Sequence, residues 1–120
     1  MATAAEMIGS TPPGQLDSVS FLPTLLDKPD EQLKRDFIYW EFLERKGAQA
    51  VGLGETGRWK ALRKQSATAP IEIYDLENDL GEIKNVANDH PELVSRAEEL
   101  FKNEHVPNPL WNAPFKPRRK

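Results

Sequence analysis

The sequence predicts an α+β domain: a four-stranded antiparallel sheet with a C-terminal helix packed on one face. Three observations carry this prediction. Four short segments in the middle of the chain are β-branched and aromatic, or alternate apolar with polar. The links between the last three are too short for a parallel crossover, which needs a dozen or more residues. One amphipathic helical stripe follows them.

Residues 1–9 read as a fragment of helix. Ala2, Ala4, Ala5, Glu6 and Met7 favour it, and Gly9 is a natural stop. No capping residue precedes them, which predicts a further segment upstream. Ser10-Thr-Pro-Pro-Gly14 is a loop by composition. Ser20 is placed to cap a short helix with Phe21, Leu22, Leu25 and Leu26 as its apolar face, and Pro23 is tolerated in its first turn. Asp27-Lys-Pro-Asp30 ends it.

Phe37-Ile-Tyr-Trp-Glu-Phe42 is the first strand, and residues 49–53 form a second, weaker one. In residues 58–63, Trp59, Ala61 and Arg63 alternate against Lys60 and Leu62, giving the third. Ile71-Glu-Ile-Tyr-Asp75 is the fourth. The helix runs over 91–104, with Asp89 as cap, Pro91 in the first turn and Glu92 near the positive end of the dipole. Leu93, Val94, Ala97, Leu100 and Phe101 form its apolar stripe. The organisation expected is therefore a helical and loop segment over 1–35, the α+β unit over 36–106, and a Pro-rich basic tail over 107–120.

Composition removes several function classes. The chain has 120 residues, 38% of them hydrophobic, and a formal net charge of −3. That mild acidity argues against general nucleic-acid binding, and no apolar run is long enough to span a bilayer. Cysteine is absent, which excludes disulfides, thiolate zinc sites and cysteine nucleophiles. The two histidines fall at opposite ends of the predicted helix and have no third partner at metal-ligand spacing. His90 reads as part of the capping loop, and His105 as a complement to the helix dipole.

Three motifs fail on inspection. Asp75-Leu-Glu-Asn-Asp-Leu-Gly-Glu82 places Leu80 where a calcium loop needs glycine and Val86 where it needs glutamate, so it reads as a solvated turn. Gly52-Leu-Gly-Glu-Thr-Gly57 matches a dinucleotide-binding string but precedes a strand instead of a helix, so it reads as a hairpin connection. The basic end, Lys116-Pro-Arg-Arg-Lys120, is solubilising. Phe37, Tyr39, Trp40 and Phe42 read as sheet core, and Glu41 is a polar exception facing a cleft or solvent. Residue chemistry alone yields no active site.

An ordered set of segments nevertheless carries a resemblance. Leu16-Asp-Ser-Val-Ser-Phe-Leu-Pro-Thr-Leu-Leu26 and Phe37-Ile-Tyr-Trp-Glu-Phe42 are followed by Gln49-Ala-Val51, Arg58-Trp-Lys60, Ile73-Tyr-Asp-Leu76, Asn85-Val-Ala87 and His90-Pro-Glu-Leu93. In this order and spacing the chain resembles the C-terminal portion of the type I, formylglycine-dependent sulfatases, from about residue 1 to 106. The resemblance implies a sulfuric ester hydrolase in which a large separate domain holds the catalysis. A formylglycine nucleophile and a calcium ion are expected in that missing domain, and neither cofactor in this chain. Ser95-Arg96 follows Leu93-Val94 and not the modification motif, so no catalytic residue is carried over.

The partners implied are the sulfatase catalytic domain and, through it, a sulfate ester, with no nucleic acid and no membrane. Full-length relatives are commonly exported. The resemblance also makes Trp40, Glu41, Trp59 and Lys60 candidates for the rim of the substrate pocket. The competing expectation is that Trp40 and Trp59 anchor the sheet core. Where the family often has Arg after Gln-Ala-Val this chain has Gly52. Glu55-Thr56 are extra, and Leu80 stands where proline is common. A rival from another class is a free-standing interaction module that binds through an exposed sheet face.

Overall fold

The computed structural model describes residues 1–11, 14, 18–42 and 47–107. The predicted tail beyond Pro107 lies outside the described residues. Two compact units divide the chain, Met1–Lys34 and Arg35–Lys120.

The first unit contains helix α1 (Ala2–Met7), helix α2 (Leu22–Leu25) and a 3₁₀ turn (Pro29–Glu31). Gly9 closes α1 at φ 64°, a left-handed value that glycine adopts without strain. Phe21, and not Ser20, is the N-cap residue of α2. Ser20 still contributes, because its Oγ accepts the Leu22 amide at 3.1 Å. Gln32 Nε2 donates to the Ser20 carbonyl at 2.8 Å and Gln32 Oε1 accepts from Thr24 Oγ1 at 2.8 Å, tying the turn back to α2.

In the second unit β1 (Phe37–Phe42), β2 (Ala48–Leu53), β3 (Trp59–Lys64) and β4 (Ile71–Asp75) form an antiparallel meander in chain order. The helix α3 (Pro91–Asn103) follows. The fold class is as the sequence predicts. Gly54 and Gly57, at φ 85° and 68°, let the chain turn between β2 and β3, so the glycine-rich segment is the hairpin connection that the sequence predicts.

Successive strand residues face opposite sides, so the register sorts every residue. Tyr39, Val51, Ala61 and Ile73 form one row facing α3, flanked by Phe37, Leu53, Trp59 and Asp75 on one side. Glu41, Gln49, Arg63 and Ile71 flank it on the other. The predicted stripe of α3 packs onto this face: Ala97, Leu100 and Phe101 join Val51, Leu53, Ala61 and Ile73 in the core. Thirteen helical residues and six-residue strands both extend about 20 Å, so α3 spans the full strand length. Ala48, Ala50 and Leu62 form a smaller cluster on the opposite face.

The cap of α3 differs from expectation. His90, and not Asp89, is its N-cap residue, with Pro91 at the first helical position. The ring of His90 packs on Trp59 at 4.6 Å between centroids. That tertiary contact fixes where the helix starts.

Phe101 is 1% exposed at the centre of this packing. Phe101→Ala is expected to cost about 3–5 kcal/mol of unfolding free energy by chemical denaturation. Ile38→Ala on the other face is expected to stay within about 0.5 kcal/mol of the parent. Equal costs for the two would show that the core is placed wrongly.

Candidate functional site

The four rim candidates do not converge. The pleat puts Trp40 and Lys60 on the face away from α3, and Glu41 and Trp59 on the face beneath it. Glu41 and Trp59 also occupy opposite end rows of that face.

Trp59 stands near the start of α3 between two cationic or polarisable groups. Arg58 lies over its ring at 4.6 Å and His90 packs against it. Arg58 is itself held by Asp75, with Nε–Oδ1 at 3.0 Å and Nη2–Oδ2 at 2.7 Å. That fork, assisted by Asn78, holds the Asp75 carboxyl well below its ordinary range. Trp59 is thus half-buried against the core, whereas Trp40 and Phe42, also expected in the sheet core, are exposed on the other face because the pleat turns them away from α3.

Glu41 turns inward to neither cleft nor solvent. Tyr39 Oη donates to its Oε1, as does Gln49 Nε2 at 3.1 Å. His105 Nδ1 lies 2.7 Å from the same oxygen. His105 therefore engages Glu41 across the fold, and the reading of it as a dipole complement is corrected. Burial pushes the Glu41 carboxyl up, but the bonds from Tyr39, His105 and Gln49 outweigh it and leave the pKa below the ordinary value. Burial and the Glu41 carboxylate push the Tyr39 hydroxyl up.

The network extends inward. Arg63 donates to Gln49 Oε1 through Nη2 at 2.6 Å and Nε at 3.1 Å. Its guanidinium also lies 4.8 Å from the Phe101 ring centroid. Residue-by-residue reading missed Gln49, Arg63, Tyr39 and His105 as one constellation. The signal was the spacing of Glu41, Gln49 and Arg63, three polar residues that fall in one row once the hairpins are in register.

The other face carries a row of exposed apolar side chains, with Ile38, Trp40 and Phe42 at 52%, 38% and 39% exposure. Beside them Lys60 Nζ lies 2.7 Å from both carboxylate oxygens of Glu82. Lys64 pairs with Glu72, which also accepts from the Tyr74 hydroxyl at 2.9 Å. Burial and that carboxylate push the Tyr74 hydroxyl up to about 12. Among the described residues no three His, Asp or Glu side chains come together to hold a metal ion, and with no cysteine the chain offers no precursor of that type for formylglycine.

Fold and site together define a small α+β unit in which α3 covers one face of the sheet and Ile38, Trp40 and Phe42 are exposed on the other. No protein-family profile matches the chain, and no curated protein sequence matches it significantly. Solved structures do. One, BT33336S-sulf, described with the metabolism of multiple glycosaminoglycans by Bacteroides thetaiotaomicron, aligns with a TM-score of 0.62 and 27% identity over 86% of this chain. A second, BT4656 in complex with its substrate D-glucosamine-2-N,6-O-disulfate, gives 0.59 and 19% over 84%. The chain is sulfatase-related and resembles the C-terminal subdomain of such proteins. It spans only 23% and 22% of the two structures' lengths.

Two outcomes test this geometry. A carboxyl with a depressed folded pKa adds stability above its unfolded value, about 4.3, and loses it as pH falls through the lower folded value. Glu41→Gln is therefore expected to cost about 1–3 kcal/mol at pH 6, with the gap from the parent closing as pH falls below about 4. A gap that is flat with pH would remove Glu41 from the network. Gly52 has a backbone open to other residues, and a Cβ there would meet Trp40 Cζ3 at 3.9 Å, an ordinary contact. Gly52→Ala is expected to stabilise by about 0.4–1 kcal/mol in the same denaturation assay, and destabilisation would contradict the placement of Trp40.

Proposed function

We propose that this chain is the C-terminal portion of a sulfuric ester hydrolase, packing on a catalytic domain and contributing no catalytic residue of its own. The observation that carries the reading is the match over 86% of the chain at 27% identity to BT33336S-sulf. Calcium and the formylglycine nucleophile belong, in this reading, to the catalytic domain. The substrate class is a sulfated saccharide, which the descriptions of both structural neighbours support.

Trp40 and Lys60 are the rim residues of this reading, because they share the face that α3 leaves open. An exposed indole offers a flat apolar surface for a sugar ring, and an ammonium attracts sulfate. Glu41 and Trp59 have structural duties instead. Lys60 starts from an ion pair with Glu82, so sulfate would compete with that carboxylate. The exposed row at Ile38, Trp40 and Phe42 also favours a second reading, a free-standing module that binds a protein through this face.

The chain alone is expected to release no sulfate from an aryl sulfate or from glucosamine 6-sulfate in the presence of calcium. Fused in place of the matched segment of BT33336S-sulf, it is expected to support turnover. In that fusion Trp40→Ala and Lys60→Ala each lower kcat/KM by about tenfold, the size of one lost contact of this kind. Sulfate release by the isolated chain would overturn the division of labour, and rim variants as active as the parent fusion would overturn the rim.

A further inference from the structure

Lys60 is the cation of the proposed rim, and it already has a partner. Its Nζ lies 2.7 Å from both carboxylate oxygens of Glu82, 22 residues further along the chain. The two side chains keep 22% and 32% of their surface exposed. Lys64 is held by Glu72 at 2.7 Å in the same way, so each lysine that β3 sets on this face is matched by a carboxylate. Trp40 leans toward the Lys60 pair. A Cβ at Gly52 would meet its Cζ3 at 3.9 Å, and Gly52 is the strand partner of Lys60, one strand spacing of about 5 Å away.

The carboxylate of Glu82 is held in place by its turn. Glu82 has φ 53°, a left-handed backbone that is unfavourable for a residue with a Cβ. Its neighbour Gly81, free to take that conformation, has no positive φ. The Glu82 amide donates to the Asp79 carbonyl at 3.1 Å, and the next two amides, of Ile83 and Lys84, donate to Asp79 Oδ2 at 2.8 Å. A turn that sets glutamate and not glycine at its left-handed position delivers a carboxylate there, and the Lys60 ammonium receives it.

We propose, on the reading of Lys60 as a rim residue, that Glu82 is an internal competitor for the sulfate group of the substrate. It occupies the Lys60 ammonium in the free chain and gives way only to a ligand that replaces it there. A tethered carboxylate acts at an effective concentration in the millimolar range or above. Free sulfate at lower concentration therefore gains little at Lys60, because Glu82 already makes the bonds it would make. A sulfated sugar gains more, since its ring stacks on Trp40 while its sulfate takes the ammonium. Glu82 thus sharpens selection: a sulfate alone, or an unsulfated sugar alone, supplies only half of what displaces it.

The test is a titration of the full chain with N-acetylglucosamine 6-sulfate, N-acetylglucosamine and inorganic sulfate, followed by amide and indole chemical shifts. Glu82→Gln removes the charge and keeps the shape, and Glu82→Asn removes it with a residue that tolerates the left-handed backbone. Both are expected to bind the sulfated sugar about fivefold more tightly than the parent, the size of one partly exposed ion pair. Inorganic sulfate is expected to improve likewise, the unsulfated sugar to stay unchanged, and added Lys60→Gln to abolish the gain. Equal binding of the sulfated sugar by the parent and both Glu82 variants, lost in Lys60→Gln, overturns the competitor and leaves the rim standing. Binding that is indifferent to Lys60, or absent from every variant, overturns both. An equal gain for the unsulfated sugar overturns the competitor alone.

Discussion

The carboxamide of Gln49 is the point at which three strands and the helix are tied. It sits on the central strand β2, 1% exposed, and all its hydrogen-bonding capacity is directed into the protein. Oε1 takes both bonds from Arg63 on β3. Nε2 reaches Tyr39 and Glu41 on β1 and the carbonyl of Phe101 on α3, at 3.0, 3.1 and 3.3 Å. A slip of either hairpin by one residue would send Gln49 to the other face and strand a buried guanidinium and a buried carboxylate without partners. Such a loss is far larger than the gain from the bonds themselves. The network therefore specifies register more than it adds stability, and the rest of the unit follows from that register.

One consequence reaches the helix terminus. The last turn of α3 leaves carbonyls without partners inside the helix, and Gln49 satisfies one of them at Phe101. A little further on, His105 closes over Glu41 with 8% of its side chain exposed. The C-terminal end of α3 is pinned by polar contacts and its N-terminal end by the Trp59–His90 ring pair. Between them the apolar stripe needs only to fill space. A second consequence reaches the edge: because Glu41 is drawn beneath the helix, β1 is left without an exposed charge.

How much of this was legible in the sequence follows the kind of interaction involved. Local periodicity was plain in β1, β4 and the stripe of α3, where one face is buried and the other is not. Strand β2 was faint because Ala48, Gln49, Ala50, Val51 and Leu53 are all buried, and a segment covered on both faces does not alternate. The cap at His90 was misplaced by one residue, since a packed Trp59 ring and not local hydrogen bonding decides it. His105 was read by its position on the helix, whereas its partner is 64 residues away. Glu41, Gln49 and Arg63 become one constellation only through pairing, which single-segment patterns do not contain.

The open face has a constraint of its own. Lys60 and Glu82 form an ion pair across it, and Glu82 holds a left-handed backbone at φ 53°, unusual for a residue with a side chain. That conformation is supported locally: Asp79 accepts from the amides of Ile83 and Lys84, both at 2.8 Å, which folds the turn back over itself. Leu80, 83% exposed, adds nothing to the packing of this turn. A proline at that place, common in the family the chain resembles, would stiffen the backbone just before Gly81. With leucine the turn keeps its shape through the bonds of Asp79 together with those that Asp75 accepts from the amides of Glu77, Asn78 and Asp79, so the reach of Glu82 to Lys60 depends on two carboxylates and the backbone between them. The charge presented by this face is therefore set by the acidic turn as much as by the strand that carries the lysine.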